Sequence, residues 1–232
     1  MFQAIFLRPI FNLLVVVYNA LPQPDLGIAV ILLVVLLRVI LWPLFQKAAQ
    51  SQIMFAKIQP DVERIQKKYK EDRQEQTKQL LALYREHKFN PFSGMLVILV
   101  QIPLIIALYQ VFLRGIGNDF SSLLYASVKN PGMLNAQFFG LIDLTKPFFP
   151  LVVVAALAQF WQSKTLPQPK SQDPKSFQAM FSRQMVYMGP ILTVAIFSRF
   201  PAVVPLYWGV TSVVSVGQQY LVERKLKKQQ LT

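Results

Sequence analysis

The sequence predicts an all-α polytopic membrane protein: five transmembrane helices, a cytoplasmic helical hairpin and an N-terminal interfacial helix. Three observations carry this. Of the 232 residues, 53% are hydrophobic and only 15% charged, whereas a soluble globular domain carries about 25% charged residues. Sixteen of the 35 charged residues fall between positions 46 and 92, leaving long apolar stretches with almost nothing ionic in them. The 24 Lys and Arg outnumber the 11 Asp and Glu, for a net charge of +13, and they cluster in alternate loops. A soluble enzyme, a disordered tail and a DNA-binding domain do not fit this pattern.

Residues 1–24 are apolar but lack a basic leader and a small-residue cleavage site, so they do not read as a signal peptide. On a helical wheel Arg8, Asn12 and Asn19 fall within roughly 40° of one another. That stripe suits a helix lying in the outer interface, because Arg8-Pro9 would be costly within hydrocarbon. The first span, 25–45, has about the 20 apolar residues a bilayer needs and contains Arg38 and a late Pro43.

Residues 46–92 read as the charged hairpin. Ile58, Val62, Ile65 and Tyr69 form one apolar seam, and Lys70-Glu71 makes a polar turn. Asp72 followed by Glu75 resembles a capping box that starts the second helix. Leu80, Leu83, Tyr84 and His87 line its inner side, and Asn90-Pro91 ends it. The second span, 93–114, carries Gln101 and Gln110. An outer loop, 115–145, leads to the third span, 146–163, and a cytoplasmic loop, 164–178. The fourth and fifth spans, 179–198 and 202–222, are separated only by Arg199, Phe200 and Pro201, enough for a tight helical hairpin. A basic tail, 223–232, follows.

Lys and Arg in the loops set the orientation. Eighteen lie in 46–92, in the loop between spans three and four together with Arg183 just beyond it, and in the tail; five lie on the other side, and Arg38 lies within a span. The expected N-terminus is outside and the C-terminus cytoplasmic.

Little in the sequence looks like bond-making chemistry. There is no cysteine, and His87 is the only histidine, so thiolate sites, His-based metal clusters and Ser/His/Asp triads are excluded. No phosphate loop occurs, and neither cofactor nor metal is expected. Arg38 is the exception to the apolar spans. It has no acidic partner in any span, and an unpaired guanidinium deep in the membrane costs about 2.5–3.5 kcal/mol. A water-filled recess would relieve that cost. In the fifth span Trp208, Ser212, Ser215 and Gln219 recur at spacings of four, three and four, with Thr211 and Gln218 beside them. Together with Gln101 they would line a wet, positively charged groove without a catalytic acid or base; small-residue helix packing is the plainer reading.

These residues resemble the YidC/Oxa1/Alb3 family of membrane protein insertases. The likeness runs through Arg8-Pro9-Ile10-Phe11, Leu37-Arg38-Val39-Ile40-Leu41-Trp42-Pro43-Leu44 and Ile58-Gln59-Pro60. It continues through Asn90-Pro91-Phe92-Ser93-Gly94, Gln101-Ile102-Pro103, Phe200-Pro201-Ala202 and Leu206-Tyr207-Trp208 to Gln218-Gln219. Met95, Val97, Val203, Pro205 and Val34 depart from the family pattern.

The resemblance implies a five-helix core around a hydrophilic groove open to cytoplasm and lipid. It matches Arg38 to the family's groove arginine and Trp208 to an aromatic that meets the client; with Gln101, Tyr207, Thr211, Ser212 and Ser215 these are the candidate groove residues. It implies a bacterial inner-membrane insertase whose clients are nascent membrane proteins. The ribosome, the signal recognition pathway and the Sec translocon are candidate partners alongside the lipid bilayer, and DNA is not. Lys67, Lys68, Lys70, Arg73, Arg224, Lys225, Lys227 and Lys228 are the candidate docking residues. A small-molecule or ion transporter and a non-catalytic assembly scaffold are the alternative readings.

Overall fold

The computed structural model describes residues 3–115, 123–167 and 177–229. Parts of the outer loop, the loop after the third span and the end of the tail fall outside the described residues, as do the side chains of Lys227 and Lys228.

The described residues form eight α-helices and one short β-hairpin. A π-helical turn, Gln3–Leu7, leads into α1 (Arg8–Ala20). Pro9 sits in its first turn, where the missing N–H costs nothing. Leu7, Phe11, Leu14, Val15 and Tyr18 are buried against α2 (Leu26–Ile40) and α5 (Ser93–Gly115). Asp25 caps α2, its Oδ1 accepting from the Ile28 N–H at 2.9 Å.

The polar stripe of α1 meets the chain's own loop: Asn12 is buried, Arg8 half-buried and Asn19 exposed. Arg8 donates to the Leu123 and Leu124 carbonyls, Asn12 to the Leu123 carbonyl at 2.9 Å, and Asn19 to the Lys129 carbonyl. Asn12 Oδ1 accepts in turn from the Tyr125 N–H. The stripe that suggested an interfacial position is therefore used to hold the chain's own loop. By length and composition, Gln3–Ala20 is long and apolar enough to cross a membrane, with mean hydropathy 1.4 over 18 residues.

The first expected span is broken. α2 stops at Ile40, and α3 (Trp42–Lys68) leaves it at 73°. The cause is Pro43, which cannot donate to the Val39 carbonyl and whose ring crowds it; in the first turn of a new helix the same residue fits. α3 then folds back onto α4 (Arg73–Glu86) through a turn at 69–72. Asp72 caps α4 by accepting from the Gln74 and Glu75 N–H groups. The expected capping box is only half made: Glu75 does not reach back but accepts from Gln79 and pairs with Lys78. Ile58 and Val62 are buried and Leu80, Leu83, Tyr84 and His87 half-buried, so the two apolar seams lie where their spacing suggested.

α6 (Phe149–Thr165), α7 (Phe177–Phe197) and α8 (Val203–Gln229) complete the molecule. α8 packs on α6 and α2, and α6 also on α7. At Gly209 of α8 an added Cβ would lie 3.4 Å from the Ala155 backbone of α6, so a small residue permits the closest approach of these two helices. α8 is one continuous helix, carrying Arg224 and Lys225 beyond the apolar segment. Within the described residues, α2 and α3 are long and apolar enough to cross a membrane only when taken together as a bent pair, and Leu99–Gln110 and Gln184–Phe197 are shorter apolar helices.

Between α5 and α6, strands β1 (Gln137–Phe138) and β2 (Ile142–Asp143) pair antiparallel, Phe138 opposite Ile142. The hairpin is bonded to the start of two helices. Leu26 N–H donates to the Asn135 carbonyl, and Val203 and Ala202 donate to the Leu144 and Lys146 carbonyls. The Phe138 ring lies over Gly27, where a Cβ would fall 2.2 Å from Cδ2. Only glycine leaves room for it.

Candidate functional site

Arg38 occupies the last turn of α2, two residues before the break. An unbroken helix to residue 45 would have left it seven residues short of the helix end. The break instead puts it beside the free carbonyls of a helix C-terminus, which favour a cation by about 0.3–1 kcal/mol. The 73° turn also folds Phe45 of α3 over the guanidinium, with Cζ 3.9 Å from the ring centroid. A desolvated cation–π contact of this kind is worth roughly 2 kcal/mol. Arg38 Nη1 donates to Gln218 Oε1 of α8 at 3.4 Å, and the residue is 9% exposed. Three helices thus hold one charge, through neutral groups among the described residues.

A cavity of about 120 Å³ opens beside Arg38. α3 lines it with Phe45, Ala48, Ala49 and Gln52, α6 with Gln162 and Thr165, and α8 with Ser215, Gln218 and Gln219. The polar lining is one guanidinium, four amides and two hydroxyls, with no carboxylate. Gln219 is held by donating to Glu223 at 3.1 Å, and the buried Nε2 of Gln218 has no acceptor. Such a lining can hydrogen-bond a polar or acidic chain segment but offers no nucleophile with a base.

A second polar contact lies between α5 and α8. Gln101 Nε2 donates to the Tyr207 hydroxyl, and both Tyr207 and Thr211 are buried. Arg38 lies within electrostatic range of Tyr207. The face of α8 that meets Gln101 and Arg38 is therefore Tyr207, Thr211, Ser215 and Gln218, at spacings of four, four and three. The sequence pattern began instead at Trp208, one residue round the helix.

Trp208 turns toward α7, its ring edge-on to Phe197 at 5.4 Å, and its buried Nε1 has no acceptor. Ser212 is buried outside the cavity lining. Ser215 lines the cavity while its hydroxyl donates to the Thr211 carbonyl. Gln52, Gln162, Thr165 and Phe45 were not anticipated. For α6 a signal existed: Gln159, Gln162 and Thr165 recur every third residue at the end of an apolar helix.

Of the docking candidates, Lys67, Lys68, Lys70 and Arg73 are exposed together at the α3–α4 tip. Arg224 and Lys225 are exposed on a different element, α8. An open depression of about 740 Å³ runs along α4, bounded by Arg73, Lys78 and Arg85 around Leu81.

The family model of the 60Kd inner membrane protein matches residues 17–229, which include every groove candidate. A curated relative, a membrane protein insertase YidC of Fusobacterium nucleatum, is 33% identical over 201 residues, 87% of each chain. The chain belongs to the YidC family. YidC of Francisella tularensis subsp. novicida is 34% identical over 85% of this chain, which spans 32% of that longer protein. A crystal structure of an active YidC insertase with its first transmembrane domain resolved is 24% identical, with a TM-score of 0.59 over 95% of this chain and 46% of that one. The eight-helix arrangement is thus the all-α YidC fold, in a family of inner-membrane proteins.

Proposed function

We propose that this YidC-family chain inserts membrane proteins by lodging a polar client segment beside Arg38 and releasing the client's transmembrane helix into lipid. The observation that carries the reading is a nearly buried, ionically unpaired guanidinium beside a cavity lined by amides and hydroxyls. Breaking α2 at Leu41 brings that cavity close to a helix end, which shortens the polar path a client must cross. Burial of the client's apolar helix in lipid supplies the downhill step.

In this reading α2, α5, α6, α7 and α8 span the inner membrane, with the N-terminus outside and α3–α4 in the cytoplasm. Nascent membrane proteins are the clients. The basic α3–α4 tip and the end of α8 are the surfaces offered to the ribosome, the signal recognition pathway or the Sec translocon.

The test uses purified protein in liposomes and a small single-span client. Insertion should exceed that of empty liposomes. Arg38→Ala should lower it about tenfold for clients with acidic outer segments, the loss of roughly 1.4 kcal/mol of differential stabilisation, and less for neutral ones. Insertion at the empty-liposome level by the unaltered protein would refute the reading.

A further inference from the structure

We infer that the β1–β2 hairpin is a lipid-seated wedge: Phe139 and Leu141, with Met133 on the segment leading in, rest among the headgroups of the leaflet where α2, α6 and α8 begin. The side chains come first. Met133 is 81% exposed, Phe139 66% and Leu141 85%, while the neighbouring Leu134, Phe138 and Leu144 are buried. The hairpin and its flanks sort their apolar residues into an inner set, packed over Gly27 and its surroundings, and an outer set left mostly exposed, in which the Phe139 ring rests only against Phe138 at 4.4 Å among the described residues.

The backbone is unusual at the same place. Residues 139 and 140 both have positive φ, 52° and 69°, and the Leu141 N–H donates back to the Phe138 carbonyl. Such a turn favours Asn-Gly, and a bulky residue with positive φ is an outlier. Gly140 meets the demand; Phe139 does not, and its large ring is displayed outward at the strained position. Its N–H is anchored nonetheless, donating to the buried Asp25 Oδ2 at 2.6 Å.

Depth selects the occupant. The hairpin is hydrogen-bonded to the first residues of α2 and to the start of α8, and α6 begins six residues after β2. If those helices span, the hairpin lies at the hydrocarbon–water boundary, where aromatic side chains collect. Lys146, 78% exposed at its side chain and paired with Asp143 at 2.9 Å, is placed to meet phosphate groups there. Asp143 stays charged, since the Thr145 hydroxyl bond and then Lys146 hold its carboxyl below the ordinary value.

The proposal rests on α2, α6 and α8 being spans, so the experiment reads both. The chain has no cysteine, so Leu141→Cys, Met133→Cys and Leu157→Cys each give one nitroxide site in protein reconstituted into phosphatidylcholine–phosphatidylglycerol vesicles. Leu157, exposed on mid-α6, reports the span. Oxygen collisions exceeding nickel-chelate collisions at Leu141 and Met133 are expected, with a smaller excess than at Leu157. Adding Phe139→Asn should lower the oxygen-to-nickel ratio at Leu141, while its backbone bond to Asp25 persists. Nickel-dominated collisions at Leu141 and Met133 with oxygen-dominated ones at Leu157 would overturn the wedge alone. Inaccessibility to both reagents would mean a protein partner covers the hairpin and would also overturn it. A nickel-accessible Leu157 would overturn the spanning reading itself.

Discussion

Arg38 illustrates how little a residue's identity says about its cost until its neighbours are known. Its guanidinium is shared among a helix C-terminus, the Phe45 ring and the Gln218 amide. All are neutral, so the charge is solvated without being neutralised and stays available to an acidic segment. Phe45 acts through Arg38 and is a positioning residue. Phe45→Leu keeps an apolar side chain but removes the π face; insertion of clients with acidic outer segments should fall severalfold while that of neutral clients changes little, measured side by side in proteoliposomes. Equal loss for both would make Phe45 a packing residue only. Trp208 allows a stability prediction. Its buried N–H lacks an acceptor, and an unmet buried donor costs about 1–3 kcal/mol. Trp208→Phe should leave the melting temperature in detergent unchanged or higher. Trp208→Ala should lower it by removing the edge-on contact with Phe197.

At the scale of elements, the hairpin and α1 close one end of the helix bundle. Asp25 does two jobs with two oxygens, capping α2 and holding Phe139. Arg8, Asn12 and Asn19 retain the loop that follows α5. Gly27 is the tightest point. Gly27→Val would place side-chain atoms inside the Phe138 ring; the ring must swing out, exposing an otherwise buried aromatic. An overpacked site of this kind costs about 1–3 kcal/mol, so the melting temperature should drop by several degrees. Phe138→Ala in the same background should recover part of the loss. No recovery would mean that the close approach is not what requires glycine.

For the whole molecule, the α3–α4 arm and the bundle are separable in principle because α4 buries no side chain. Replacing 61–88 with a short Gly-Ser linker removes only Val62 and Glu63 from the buried set, so the bundle should still fold, checked by its thermal transition. Insertion should fall strongly in proteoliposomes. If insertion persists and only partner binding is lost, the arm is a tether. The YidC-family class of this molecule was legible in the sequence because it depends on sums and periods: apolar length, charge by loop, and motifs in order. The seams of α3 and α4 were legible for the same reason, since helical spacing alone defines a face. The site was half legible. Arg38, Gln101, Tyr207 and Ser215 stand out as polar residues in apolar stretches, but which of them meet depends on how neighbouring helices are rotated and where they bend. Pro43 was visible as a proline, yet the consequence, Phe45 folded over Arg38, required the direction that α3 takes. Trp208 and Ser212 fit the polar pattern as well as Ser215 does, and only packing on α7 and α6 turns the face by one residue. Sequence by itself determined that this chain is all-α and belongs to a family of inner-membrane proteins, because those properties accumulate along the chain. Tertiary structure alone decided which polar groups surround the buried Arg38, because contacts between helices depend on rotation and bending that no period along a single helix records.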